Sequence, residues 1–243
     1  VGFTAGIAVI IFASQLRELL GLTLAHEPGE LVEKLEALWA ARATITPQAV
    51  AVSFGTMAVI LLVRRFRPHW PGMLIAVALA SLAAALLGLP IATIGSKFGG
   101  IPSGLPAPAL PTLSVEKVMA VLPAAFSFAL LGAIESLLSA VVADNMSGRR
   151  HRSNCELVAQ GAGNMASALF GGFCVTGTIA RTATNVRAGA RGPVAGMLHA
   201  VFLLLFMLLA APLAAYIPLA ALAGVLALVA WNMFEKREFA ALL

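Results

Sequence analysis

Gly171-Gly-Phe-Cys-Val-Thr-Gly-Thr-Ile-Ala-Arg-Thr182 is too irregular to read as a plain membrane helix, yet it lies between two long apolar runs. Phe173–Val175 suits extended backbone, Gly177 breaks regularity, and a helix can start near Thr178 and run through Val186. Lipid offers backbone groups no hydrogen bonds, so irregular chain at this depth survives only against protein or a water-filled cavity. A helix that begins there presents free N–H groups and a partial positive charge. Such an end suits an anion before any side chain is counted. Thr176, Thr178 and Thr182 add hydroxyls, and Arg181 adds a fixed cation within one turn of the start. The other reading of the same residues is a re-entrant structural turn, with Arg181 snorkelling or paired with an acid.

The surrounding composition supplies the lipid. Of 243 residues, 60% are apolar and 11% charged, against about a quarter charged in soluble domains. Spans of roughly 20 apolar residues are expected in a bilayer, and the candidates are Val1–Leu22, Pro47–Val63, Trp70–Leu89, Val118–Ala143, Glu156–Phe170, Gly192–Ala211 and Tyr216–Trp231. The fold class is therefore an all-α membrane protein with a broken helix preceded by a short extended strand. The net charge of +5 would suggest nucleic acid in a soluble protein, but these charges sit mostly in loops and report topology. Arg64, Arg65, Arg67, Arg149, Arg150, Arg152, Arg187, Arg191, Lys236 and Arg237 fall on one face, ten of the sixteen basic residues. Arg17, Lys34, Arg42, Lys97 and Lys117 fall on the other. The richer face is expected to be cytoplasmic, and the parity holds only if Gly171–Val186 crosses or nearly crosses the membrane.

On the outer side, Glu27–Ala43 carries Leu31, Leu35, Leu38 and Trp39 at helical spacing and is expected to form a short amphipathic surface helix. Ile94–Pro111, rich in Pro and Gly, is expected to be extended coil. Cys155 and Cys174 give neither a disulfide framework nor metal-ligand spacing, and no cofactor is expected. Gly161 and Gly163 follow no strand and are no nucleotide loop. The sequon Asn145-Met-Ser147 falls on the cytoplasmic side of this layout and is discounted.

Glu135 is the acid placed deep in a span, inside Val118–Ala143. Its charge costs on the order of 3 kcal/mol there, and protonation removes much of that cost. Ser139 follows one turn on, on the same face. The pair reads as a proton- or cation-coupling site, or else as a structural acid bonded to a neighbouring helix. Glu156, Gln160, Gly163, Asn164 and Ser167 form one helix face, which either lines the site or locks this helix to its neighbours; packing is the expectation.

These residues resemble a known family. Asn154-Cys-Glu-Leu-Val-Ala-Gln-Gly-Ala-Gly-Asn164, Phe170-Gly-Gly172, Thr176-Gly-Thr-Ile-Ala-Arg-Thr182 and Asn185 are similar to motifs of the SulP anion permeases. So are Gly2-Phe-Thr-Ala-Gly6, Phe98-Gly-Gly-Ile-Pro102, Ala211-Pro-Leu213, Ile217-Pro-Leu219 and Trp231-Asn-Met233, in family order along the whole chain. The resemblance implies a partial inverted-repeat (7+7) transporter fold, here from the fifth segment to just after the twelfth. The first four and last two segments and the C-terminal STAS domain would be absent from this stretch. It implies gate segments over 1–116, core segments over 117–214 with a half-helix from about 177, and a gate segment with a tail over 215–243. It also implies half of an anion site, with Thr176, Gly177, Thr178, Ala180 and Arg181 contributing. Sodium-coupled bicarbonate members carry Asp and a following Thr where this chain has Glu135 and Ser139, a difference that weakens a sodium site and favours a proton.

The implied function is secondary transport of a small anion: sulfate, bicarbonate, chloride or a dicarboxylate. It would be proton-coupled, in a bacterial inner membrane, and homodimeric in the full-length protein. An anion channel or voltage-responsive protein on the same scaffold, and a nucleobase transporter of the same fold, are the alternatives. An intramembrane enzyme would need paired acids or a Ser with a base; one deep acid and scattered His26, His69, His151 and His199 do not supply them.

Overall fold

The structure, a computed structural model, describes residues 2–24 and 26–233. Lys236 and Arg237, counted in the charge parity, lie outside the described residues. Among the described residues ten α-helices follow one another: α1 (Gly2–Leu20), α2 (Leu31–Ala40), α3 (Pro47–Phe66), α4 (Gly72–Leu86), α5 (Ile94–Phe98), α6 (Val115–Ser147), α7 (Ser153–Leu169), α8 (Ile179–Arg187), α9 (Val194–Ala214) and α10 (Leu219–Met233). Among the described residues α3, α6 and α9 are long and apolar enough to cross a bilayer, and α4 and α10 are shorter apolar helices.

The chain divides into two compact units, one of Val1–Ser103 with Leu209–Leu243 and the other of Gly104–Leu208. In the first, α1, α3 and α10 pack through small residues. Leu19, Ala223 and Ala227 form its buried cluster, with Leu20 and Met57 against it. Lipid gives helices no hydrophobic reason to associate, so close backbone approach supplies the attraction. Gly224 shows how close: a Cβ there would lie 2.7 Å from the Ser53 carbonyl oxygen. Ser53 is fully buried and donates both to Ala49 O in its own helix, at 2.8 Å, and to Leu19 O of α1, at 2.9 Å. Gly21 ends α1 at φ +64°, a conformation that costs residues bearing a Cβ.

The amphipathic helix expected in Glu27–Ala43 is α2, continued by the 3₁₀ turn Ala41–Thr44. Ile94–Pro111 departs from the expected coil at its start. Thr93 and Ser96 form a capping box that nucleates α5. Ile94 and Gly95 donate to Ile217 O and Ala215 O, fastening this turn beside an isolated antiparallel bridge between Thr93 and Pro218. From Gly99 to Ser114 the chain is irregular, as its Pro and Gly content led one to expect.

In the second unit α6 runs for 33 residues, four beyond the expected end and three before the expected start. At 1.5 Å per residue that is roughly 50 Å, well beyond a bilayer core of about 30 Å. Ser114 caps its start and Gly148, at φ 71°, its end. Residues 173–175, expected as a short extended strand, lie in the irregular stretch 172–178 and pair with no strand among the described residues. The half-helix starts at Ile179 with Thr178 as N-cap, one residue after the start read from the pattern and two after the one the resemblance implies.

Candidate functional site

Extended backbone without a partner strand needs other partners, and α7 supplies them. Val175 donates its N–H to Asn164 Oδ1 at 2.8 Å, and Asn164 Nδ2 donates back to Val175 O at 2.9 Å. Gln160 Nε2 donates to the same carbonyl. One turn on, Ser167 Oγ donates to Phe173 O at 2.9 Å. The polar stripe of α7 thus replaces a β-ladder with side-chain amides and a hydroxyl. Both readings of that stripe meet here, because the packing contact is what shapes the approach to α8.

The segment then turns against α6. Thr176 Oγ1 donates to Gly132 O at 2.8 Å. Gly177 lies over Ser136 and Ser139, where an added Cβ would make ordinary contact at 3.5 Å. Ser139 Oγ and Thr182 Oγ1 are 2.6 Å apart, joining α6 to α8. Ser136, 1% exposed, donates to Glu156 Oε1 at 2.7 Å.

These bonds place the first turn of α8. Thr178 makes no side-chain cap. The N–H groups of Ile179, Ala180 and Arg181 therefore have neither a cap nor an intrahelical partner. Thr182 N–H, the fourth, bonds Thr178 O in the normal way. A cavity of about 1030 Å³ within this unit is lined by Ser136, Ser139, Glu156, Gly177, Thr182 and Asn185, with Arg149, Arg150, His151 and Arg191 also on its wall. His151 is held in place there, its Nδ1 2.7 Å from Asp144 Oδ2. Arg149 Nη1 donates to Arg191 O at 2.7 Å, tying the turn after α6 to the turn after α8.

The residues singled out in the sequence separate into groups. Thr176 and Gly177 sit against α6, and Thr178 and Ala180 form the start of α8. Arg181 turns to α9, where Nη2 donates to Nε2 of His199, and it is not on the cavity wall. Ser139 is bonded to Thr182, whereas Glu135, half-buried on α6, makes no hydrogen bond or ion pair among the described residues. Glu156 and Asp144 are the acids on the cavity wall, and the place of Glu156 in the α7 stripe signalled this only weakly. His199, one of the scattered histidines of the sequence, has as its partner an arginine 18 positions away.

Among known proteins the whole chain, residues 1–243, matches the Sulfate permease family. It is 45% identical to the putative sulfate transporter YvdB of Bacillus subtilis, across 100% of this chain and 46% of that protein. It is 35% identical to the bicarbonate transporter BicA of Picosynechococcus, across 92% of this chain and 39% of that protein. The chain thus spans less than half the length of these relatives. Among solved structures, the transmembrane domain of a cyanobacterial BicA superposes with a TM-score of 0.84 at 34% identity, covering 96% of this chain and 59% of that one. SLC26A9 shares the fold at a TM-score of 0.84 and 20% identity, over 97% of this chain and 38% of that one. The chain belongs to the sulfate permease family of membrane transporters, which are not enzymes.

Proposed function

We propose that this chain is part of a secondary transporter for a small anion, and that the anion binds at the start of α8. The observation that carries the reading is the uncapped first turn of α8, delivered by an extended segment pinned to α7 and α6. Three free N–H groups and the helix dipole act together on an anion. Thr176, Gly177, Thr178 and Ala180 bring backbone and hydroxyls, and Arg181, bonded to His199 off the cavity wall, adds positive potential from a distance. The names of the relatives, sulfate and bicarbonate transporters, favour sulfate or bicarbonate over a nucleobase.

Glu135, with Ser139 one turn on, takes up a proton as the anion binds and balances its charge. A carboxyl without a hydrogen-bond partner in a span favours protonation over sodium coordination, which needs several oxygens. Access alternates as a core domain, which includes α6 to α8, moves against a gate domain. The protein works in a bacterial inner membrane, as a homodimer in its full-length form.

Uptake of radiolabelled sulfate, bicarbonate, chloride and a dicarboxylate by the full-length protein in proteoliposomes tests this. Saturable uptake of one of them, driven by an inward proton gradient and lost in Glu135→Gln, is the expected result. Currents far above carrier rates would replace the transporter with a channel. Gradient-driven uptake unchanged in Glu135→Gln would remove the coupling role.

A further inference from the structure

The bond between Arg181 and His199 constrains the imidazole. A guanidinium carries donors and no acceptor, and it stays charged at every relevant pH. Nε2 of His199 must therefore accept, which it can do only in the neutral ring with its hydrogen on Nδ1. A second proton turns Nε2 into a donor and sets two cations side by side. The pair then breaks.

What Arg181 does next follows from its helix. It occupies the first turn of α8, and helical side chains lean back toward the N-terminus. Held by His199, the guanidinium is kept off the cavity wall that Thr182 and Asn185 form on the same helix. Released, it sweeps over the free N–H groups of Ile179 and Ala180 and adds a mobile cation to the anion site. His199 has no ionisable neighbour on its own helix, since α9 carries no other charged residue. On α8 the remaining charge is Arg187, at the far end. On the other helices of this unit, Asp144 is engaged by His151 and Glu156 by Ser136; Glu135 makes no bond among the described residues, and Glu116 with Lys117 lies in the first turn of α6. In the turns, Arg149 is tied to Arg191 O. Arg150 and Arg152 lie in the stretch before α7, and among the described residues none of these groups makes a hydrogen bond or ion pair with the imidazole.

We propose that His199 is a positioning residue that holds Arg181 away from the anion site while neutral and frees it when protonated, so that proton uptake tightens anion binding. This rests on the start of α8 being the anion site, and it makes His199 a second proton-linked group besides Glu135. Coupling of this kind is reciprocal: the bound anion favours the protonated imidazole as much as the proton favours the anion.

The test is the KM for radiolabelled sulfate, with bicarbonate as a parallel probe, measured on the full-length protein in proteoliposomes at acidic and neutral pH. Each protein is compared with itself, so changes in expression or specific activity cancel. Wild type is expected to show a KM lower at acidic pH by about fivefold or more, the range of ordinary allosteric coupling. His199→Gln keeps an acceptor for Arg181 but cannot titrate, so its KM ratio is expected to fall well below that of wild type, leaving the part that Glu135 carries. Arg181→Gln should lower the ratio independently, which covers a His199 variant that fails to fold. A His199→Gln or Arg181→Gln protein that keeps the wild-type ratio overturns the inference while leaving the transport reading intact. If wild type shows no saturable uptake of any anion tested, the transport reading falls and takes this one with it.

Discussion

Asn164 should matter more than its neighbour Gln160, although both reach Val175. Asn164 supplies the acceptor for the Val175 N–H and one donor to the Val175 carbonyl. In Asn164→Ala the carbonyl keeps Gln160 as its donor, but the N–H is orphaned. A donated bond inside a membrane protein is worth about 0.6 to 1.5 kcal/mol, and an unsatisfied polar group costs about 1 to 3 kcal/mol. The loss therefore comes to roughly 2 to 4 kcal/mol. In Gln160→Ala one donor goes and another remains on the same oxygen, a loss of about 1 kcal/mol or less. If the pinned segment is what holds the start of α8 ready for the anion, Asn164→Ala raises KM by about thirtyfold or more, the equivalent of a loss of about 2 kcal/mol or above. Gln160→Ala raises it by less than about fivefold on the same scale. Concentration-dependent uptake into proteoliposomes measures both, and thermal unfolding in detergent reports the stability part. The reasoning is refuted if Gln160→Ala is the more damaging of the two, or if Asn164→Ala leaves KM within a factor of about two.

Gly224→Ala drives a Cβ to 2.7 Å from the Ser53 carbonyl; overpacking of this kind costs about 1 to 3 kcal/mol and should lower the detergent melting temperature. Gly177→Ala meets Ser136 at 3.5 Å, an ordinary contact, so the melting temperature should hold while KM rises, because the methyl blocks close approach to the backbone. Glu156→Gln keeps an acceptor for the buried Ser136 hydroxyl and should be mild, whereas Glu156→Ala orphans that hydroxyl at a cost of about 1 to 3 kcal/mol; equal melting temperatures for the two would show that the bond contributes nothing. Burial works against the charged form of Glu27, but hydrogen bonds from Lys34 and Arg17 outweigh it and hold the carboxyl below its ordinary value. Its contribution is therefore full above its unfolded-state value and disappears as pH falls through the folded one. A melting temperature that drops on acidification in wild type, and drops less in Lys34→Gln, is the expected pattern.

How much of this was legible in the sequence depended on range. The lengths of apolar runs, Pro47 at the first position of α3 and the Pro-Gly coil after α5 act through neighbours along the chain, and these features lie close to where the pattern put them. The break around Gly177 was legible for the same reason, because lipid forbids such a stretch without a special environment. The capping box of Thr93 and Ser96 was a local signal that went unread under the weight of the following prolines.

Local rules stop where the partners of that break begin. That Asn164 and Gln160 would take the place of a β-partner for Val175 depends on where α7 lies beside the extended segment. That Thr182 would bond Ser139, 43 positions away, depends on α6 and α8 packing with that face inward. Composition put a cation and an imidazole in neighbouring spans, but only the fold brought Arg181 to His199. The sequence by itself determined a membrane protein with a span broken around Gly177 and a helix that starts inside it. Tertiary structure decided which side chains hold the extended segment before α8 and that Arg181 bonds His199, because hydrogen bonds act over about 3 Å and only packing closes that distance.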